Sequence, residues 1–386
     1  MNQPIIIAAR RTAIGNVGGM HRARPIETLG ATAVMAALAD SGLGAADIGE
    51  VIMGNAAGGG GNPARLIALS AGLPDTVPAI TVDRQCASGL DAITAGARLI
   101  QTGAVEAVIA GGAESPSTAP WRVEKPASLY RGLPRFFGEA QFAPGAAGDR
   151  NMIEAAERVA LERGISREMQ DAYALASHER AAAAAAAGLF DAEIVAADGG
   201  AERDEGPKPG LKPETLARAV PLLPDGTVTA GNSCPVSDGA AAVVMVSHRL
   251  HARLGHPPGL AFVDSAAGGV DPQRLGLGAI PAVERLRDGL GERWNDLGAI
   301  EFNEAFASQV LATTAALDLP VDVTNPHGGA IALGHPYGAS GAVLVVRLFT
   351  RMAREGVGGL GLAMVAAAGG LGVATAFATV CLPQKK

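Results

Sequence analysis

Aromatic side chains are scarce in this chain, at 4% of 386 residues, while glycine is abundant at 52 copies. That pairing points to tight turns and close backbone approach, so that sites are built as much from main chain as from side chains. Only three cysteines occur, Cys86, Cys234 and Cys381. Their odd number, wide spacing and lack of a CxxC pair exclude a disulfide framework and a zinc knuckle, and fit a reducing compartment. No basic block interrupts a scattered set of acidic residues, and the formal charge is -7, so nucleic acid is not an expected partner. Charged residues are few at 18% against 48% hydrophobic, which excludes a disordered chain. Met1 to Arg10 is a short apolar segment ending in Arg10 and Arg11, the reverse of the charged-then-apolar order of a secretory signal, and a cytoplasmic protein is expected.

A run without charge extends from Val357 to Pro383, long enough in principle to span a bilayer. Glycines divide it into LGLAMVAAA and LGVATAFATV, which predicts two buried strands joined by a Gly-Gly turn instead of a membrane helix. The formal GxGxxG at Gly356–Gly361 follows a helical segment and precedes a strand. A dinucleotide site needs the opposite order, so no such cofactor is read here.

The chain repeats itself. DIGEVIMGNA at Asp47–Ala56 is echoed by DLGAIEFNEA at Asp296–Ala305, an offset of 249, and the same offset carries Cys86 onto His335. Both positions head an Ala/Gly/Leu-rich helical pattern, CASGLDAITAGARLI and HPYGASGAVLVVRLF, followed by an apolar strand ending in Gly-Gly. Two related halves are the economical explanation. The expected organisation is a first half over 1–116 and 238–262, a second half over 263–386, and an insertion over 117–237. Within the insertion, a helix N-capped by Ser166 runs through seven alanines to a stop at Gly188, flanked by long Pro/Gly-rich loops suited to covering a ligand site.

Cys86 falls where the apolar strand AITV gives way to a polar turn and then a helix. A helix N-terminus favours thiolate and offers free N–H groups to an oxyanion, which predicts a lowered thiol pKa and labelling by iodoacetamide well below pH ~8.5. An inert buried cysteine fits the same residues. Two histidines, His327 and His335, lie in the glycine-rich segment NPHGGAIALGHPYGASGA, and either imidazole brought to Cys86 by the pseudo-twofold would make a Cys-His pair. Asn303 and Glu304 follow the strand AIEF. Asn303 is placed to hold a water or an oxyanion, and Glu304 either to buttress a histidine or to cap the next helix.

RQCASGLDAI, AGNSCPVSDGAAAVV, FNEAFA and GGAIALGHPYGASGA, in this order and at these distances, resemble the motifs of the thiolase family, the acetyl-CoA acetyltransferases and 3-ketoacyl-CoA thiolases. The resemblance covers nearly the whole chain. It implies an α/β fold of two duplicated halves in a five-layer α/β/α/β/α arrangement with an inserted loop domain, assembled as a homodimer or homotetramer. It further implies that Cys86 accepts the acyl group and that His335 activates it. His335 would also serve as an oxyanion donor with a water held by Asn303. The backbone N–H groups of Cys86 and Ala368 would form a second oxyanion hole, and Met152, Cys234, Ala305 and Phe306 would line the pantetheine and acyl tunnel. No metal or redox cofactor is implied, coenzyme A thioester being the substrate. Its nucleotide calls for a local basic patch, for which Arg122, Arg131, Arg135, Lys208 and Lys212 are candidates.

Three motifs depart from the family pattern. Ala366 stands where a second catalytic cysteine is expected, removing an acid/base from carbon–carbon bond making and breaking. Asn151, Met152 and Ile153 replace a His-Met-Gly motif, and Cys234 and Pro235 replace a common Ser-Gly pair. Alternatives to a thiolase are a thioester hydrolase, an acyltransferase to an oxygen or nitrogen nucleophile, and a non-catalytic acyl-CoA-binding homologue.

Overall fold

The computed structural model describes residues 2–126, 128, 132–137, 141–144, 152–197, 203–321 and 323–380. Apolar segments punctuated by glycine or proline fold as strands. In the first half these are β1 (Pro4–Thr12), β2 (Glu50–Gly54), β3 (Ala79–Val82), β4 (Ala107–Glu114) and β5 (Ser237–Ser247). In the second they are β6 (Gly259–Gly269), β7 (Leu297–Phe302), β8 (Leu360–Ala367) and β9 (Leu371–Val380). The principal helices are α1 (Ile26–Ser41), α2 (Pro63–Ser70), α3 (Ser88–Thr102), α4 (Met152–Glu162), α5 (Arg167–Ala186), α6 (Ala279–Leu290), α7 (Ala307–Leu317) and α8 (Tyr337–Phe349).

The halves repeat one strand order, β1-β5-β4-β2-β3 and β6-β9-β8-β7. In both, a pair away from the junction of the halves is parallel, β2 with β4 and β7 with β8, and the remaining neighbours toward β1 or β6 are antiparallel. Even the place of β3 has a remnant in the second half, where Thr324 bridges Ile300 in parallel. The half-sheets meet edge to edge at Ile5–Ala261 and Ile6–Leu260. β6 pairs with β9 from Gly259 to Gly269, so it belongs to the second half. The boundary expected between 262 and 263 therefore cuts a strand.

Three apolar cores separate the layers. Leu29, Val34 and Ile67 of α1 and α2 cover one sheet, and Val283, Leu286 and Val310 of α6 and α7 cover the other. Between the sheets, Leu90 and Ile93 of α3 pack with Val343, Val345 and Val346 of α8. This is the α/β/α/β/α layering. Strands buried on both faces need continuous apolar sequence, which is why the uncharged run beginning at Val357 folds as β8 and β9. Gly369 and Gly370, at φ 81° and 77°, turn the chain between them. Among the described residues no helix is long and apolar enough to cross a membrane.

Ser166 caps α5 by accepting from the Met169 N–H at 3.3 Å, and Gly188 follows the helix at φ 72°. Buried ions tie the insertion to both halves. Arg11 of β1 donates to Glu193 (3.0 Å) and Asp204 (2.6 Å), while Arg347 of α8 also pairs with Glu193.

Candidate active site

Two equivalent helix entrances converge on the site. After β3, the Asp83 carboxylate accepts from the Gln85 N–H at 2.7 Å, and Gln85 takes a left-handed φ of 50°. This turn sets Cys86 two residues ahead of α3. In the second half Gly334, at φ 112°, leads into His335, Pro336 and α8. The two helix starts approach to backbone contact at glycines: a methyl on Gly89 would lie 2.7 Å from the Gly338 carbonyl oxygen, and one on Gly341 2.5 Å from the Leu90 nitrogen. Side-chain bulk at either place would part the helices. With none there, His335 Nε2 lies 3.1 Å from Cys86 Sγ.

His335 is 3% exposed, and its Nδ1 is 2.6 Å from Ser340 Oγ. The consistent tautomer carries its proton on Nδ1, donated to Ser340, leaving Nε2 free to accept the thiol proton. Its backbone N–H donates to the Pro235 carbonyl at 3.1 Å. Burial lowers the imidazole pKa to about 4. Burial also pushes the Cys86 thiol up to about 12, against the pull of the Ala368 and Cys86 N–H groups. The lowered pKa expected from a helix N-terminus is thus reversed, because desolvation of a thiolate outweighs two backbone donors. The resting pair is a neutral thiol beside a neutral base.

A pocket of about 360 Å³ opens over Cys86, with Ala56, Ala57, Gln85, Met152, Tyr337 and Ala368 among its walls. Trp121 and Arg122 also line it. Met152, Ala305 and Phe306 pack together around Ala156 and Val228. Cys234 joins them through its N–H, which donates to the Ala305 carbonyl at 3.0 Å. Burial and the nearby Cys86 hold the Cys234 thiol well above its usual range. Of these four tunnel candidates, Met152 reaches the pocket over Cys86.

Asn303 directly follows β7. It lines a small cavity of about 20 Å³ with Ser340 and Arg347, and its buried Nδ2 has no protein partner. Ala366 pairs with Gly372 and packs with Phe302, Met364 and Ala374, two residues before Ala368. His327 does not meet Cys86, since its Nδ1 accepts from Arg347 at 2.6 Å in the buried ion cluster. Glu304 neither buttresses His335 nor caps α7. Its carboxylate accepts from Tyr173 (2.8 Å), Ser177 (2.7 Å), Asn325 (2.8 Å) and the Ile331 N–H (3.2 Å), holding α5 against the segment that leads to His335.

Among the basic candidates Arg122 lines the pocket and donates to the Ala56 carbonyl at 3.4 Å, whereas Arg135 pairs with Glu124 at 3.0 Å. Lys208 and Lys212 are not among the pocket's walls. Arg131, Asn151 and Cys381 lie outside the described residues. Among the described residues no group of three His, Cys, Asp or Glu side chains converges to hold a metal ion. Two residues went unread in the sequence: Ser340, five positions after His335, and Glu114, which closes β4. Nothing in either local sequence distinguishes it from a surface polar residue.

A cysteine and a neutral histidine at two paired helix starts, beneath an apolar pocket walled in part by Ala368, form an arrangement suited to acyl transfer on a duplicated five-layer fold. The chain belongs to the thiolase family: the thiolase N-terminal domain matches residues 4–249 and the thiolase C-terminal domain residues 256–379. It is a thiolase-family acyltransferase. It is 44% identical over 379 residues to a Staphylococcus epidermidis protein named "Putative acetyl-CoA C-acetyltransferase VraB", covering 93% of this chain and 96% of that one. The Staphylococcus aureus protein of the same name is 40% identical over 381 residues, covering 98% and 99%. The crystal structure of the Bacillus anthracis acetyl-CoA acetyltransferase superposes with a TM-score of 0.90 at 33% identity, covering 98% of this chain and 99% of that one.

Proposed function

We propose that the protein transfers acyl groups from coenzyme A thioesters, acetyl-CoA among them, by a ping-pong route through a thioester on Cys86. The contact between His335 Nε2 and Cys86 Sγ, 3.1 Å, carries this reading. His335 takes the thiol proton as the sulfur attacks the acyl carbonyl. The N–H groups of Cys86 and Ala368, which pull the thiol toward thiolate, would receive the oxyanion. Collapse breaks the carbon–sulfur bond to coenzyme A, which leaves as a thiol with the proton from His335. Neither metal nor redox cofactor enters these steps. Arg122, on the pocket wall, is the basic residue best placed to meet the incoming coenzyme A.

In the second half-reaction, coenzyme A or the α-carbon of a second thioester attacks acyl-Cys86. The carbon route needs a group to move the α-proton, and the methyl of Ala366 cannot. That residue favours a second reading, in which water or another oxygen or nitrogen nucleophile accepts the acyl group. Incubation with acetyl-CoA followed by peptide mass spectrometry should find acetyl on Cys86, and Cys86→Ala should abolish both adduct and turnover. Turnover surviving that change would refute the assignment, and product analysis separates condensation from hydrolysis.

The same reading includes self-association. β3 is the edge strand of the first sheet, with Ile80 half-exposed and Leu66 and Leu69 of α2 exposed beside it. An uncharged apolar edge of this kind invites pairing with a second copy. Light scattering should give a homodimer or homotetramer, and a monomer at micromolar concentration would oppose it.

A further inference from the structure

We propose that Glu114 is a positioning residue of the acyl-transfer site: its carboxylate clamps the turn after β2 to the start of α8, and its ionisation controls how readily Cys86 releases its proton. Glu114 is 1% exposed. Oε1 accepts from the N–H groups of Ala56, Ala57 (3.2 Å) and Gly338 (3.1 Å), while Oε2 accepts from Asn55 Nδ2 at 2.9 Å. Ala56 and Ala57 are walls of the pocket over Cys86, and Gly338 stands three residues after His335. One carboxylate therefore spans the two halves where they meet at the reacting pair. A methyl on Gly338 would fall 2.7 Å from Oε1, so the clamp closes because that position is glycine.

A clamp made only for support would not need a charge. No cation pairs with Glu114 among the described residues, and isolated buried carboxylates are costly. Burial raises its pKa to about 7, opposed by the three backbone donors and assisted by Asp83. The charged or titratable groups on the elements around it are Asp83 and Cys86 ahead of α3, His335 ahead of α8 and Tyr337 at its first position, Arg122 through the Ala56 carbonyl, and Asp238 on β5. With His335 lowered to about 4, the imidazole is uncharged in the range where Glu114 titrates. The negative charge on Glu114 opposes thiolate at Cys86.

The inference rests on Cys86 being the acylated nucleophile, so acetyl-CoA adduct formation is measured in the same samples. The readout is the rate of iodoacetamide labelling of Cys86 against pH, resolved by peptide mass. In the unaltered protein the logarithm of the rate should rise, level near pH ~7 as Glu114 ionises, and rise again. In Glu114→Gln the levelling should vanish and the profile move down by about 1 pH unit, the effect of one close charge. Glu114→Gln keeps an oxygen for the Ala56, Ala57 and Gly338 donors and should lose far less kcat than Glu114→Ala. Glu114→Ala should lose at least about 10-fold. Superimposable profiles for the unaltered protein and Glu114→Gln, or full kcat in Glu114→Ala, would overturn the proposal. A shifted profile with acetyl found elsewhere than Cys86 would leave the coupling standing and refute the nucleophile assignment instead.

Discussion

Gly89→Ala puts the meeting of the two helices to a quantitative test. The added methyl would lie 2.7 Å from the Gly338 carbonyl oxygen, 2.9 Å from the Ala342 nitrogen and 3.2 Å from Ala342 Cβ, where ordinary contact begins near 3.4 Å. The two closest obstacles are backbone, so no side chain can swing aside. α3 and α8 must part by about 0.7 Å, or the core must hold the strain, and overpacking of this kind costs about 1–3 kcal/mol. Cys86 and His335 sit at the same two helix starts, so their 3.1 Å contact should lengthen by a similar amount, toward the outer limit of a hydrogen bond to sulfur. Misplacement on the order of 1 Å costs about 10²-fold in rate. Single-turnover acetylation of Cys86, followed by rapid quench and mass spectrometry, measures that step directly, and denaturant unfolding measures the stability term. Acetylation within about 2-fold of the parent in a variant as stable as the parent would show that helix contact does not set the Cys86–His335 geometry.

His335→Ala should slow both acetylation and iodoacetamide labelling of Cys86, acetylation by about 10²-fold to 10⁴-fold; Cys86 reactivity unchanged by the variant would remove the case for a base. Because burial lowers His335 from 6.5 to about 4, the unfolded chain gains a proton below pH 6.5 that the folded chain refuses. Stability from this group is complete above pH 6.5 and falls by about 3 kcal/mol as pH drops to 4. Glu114 has the opposite sign: its rise from 4.5 to about 7 makes acidification through that window stabilising by a similar amount. The stability difference between His335→Ala and the parent, from denaturant unfolding at a series of pH values, should therefore move in favour of the variant below pH 6.5. A difference independent of pH would show that His335 titrates normally. Ala366→Cys should raise acetoacetyl-CoA thiolysis and acetyl-CoA condensation by at least about 10²-fold. Fast carbon–carbon chemistry without that change would mean another group moves the proton, and Cys234, the second described thiol at the site, would then be the one to substitute.

The architecture was legible because duplication leaves a register. An offset of 249 between Cys86 and His335 survives in three dimensions as a 3.1 Å contact. The Gly-Gly turn and the capped insertion helix were legible for a similar reason, since each depends on residues close in sequence. What stayed hidden depends on distant neighbours. Cys86 reads locally as an activated thiol, and only the packing around it reverses the direction. Glu304 reads as a helix cap, but its partners Tyr173 and Ser177 come from the insertion more than a hundred residues earlier. The boundary near residue 260 failed because β6 carries the same apolar pattern whichever sheet it joins, and pairing with β9 decides the matter.

Duplication also explains how one local device came to serve two chemical roles. Each half starts a helix at the central layer and places its reactive side chain just ahead of it. With only glycine at the crossing, the two devices face each other across the central layer. Their surroundings then make them unlike. Cys86 receives the Ala368 N–H, a donor suited to developing negative charge, whereas His335 receives Ser340, which fixes the tautomer that accepts a proton. On the proposed mechanism, the proton leaving Cys86 arrives at His335. That mechanism requires both halves in register, because each supplies one member of the Cys86–His335 contact.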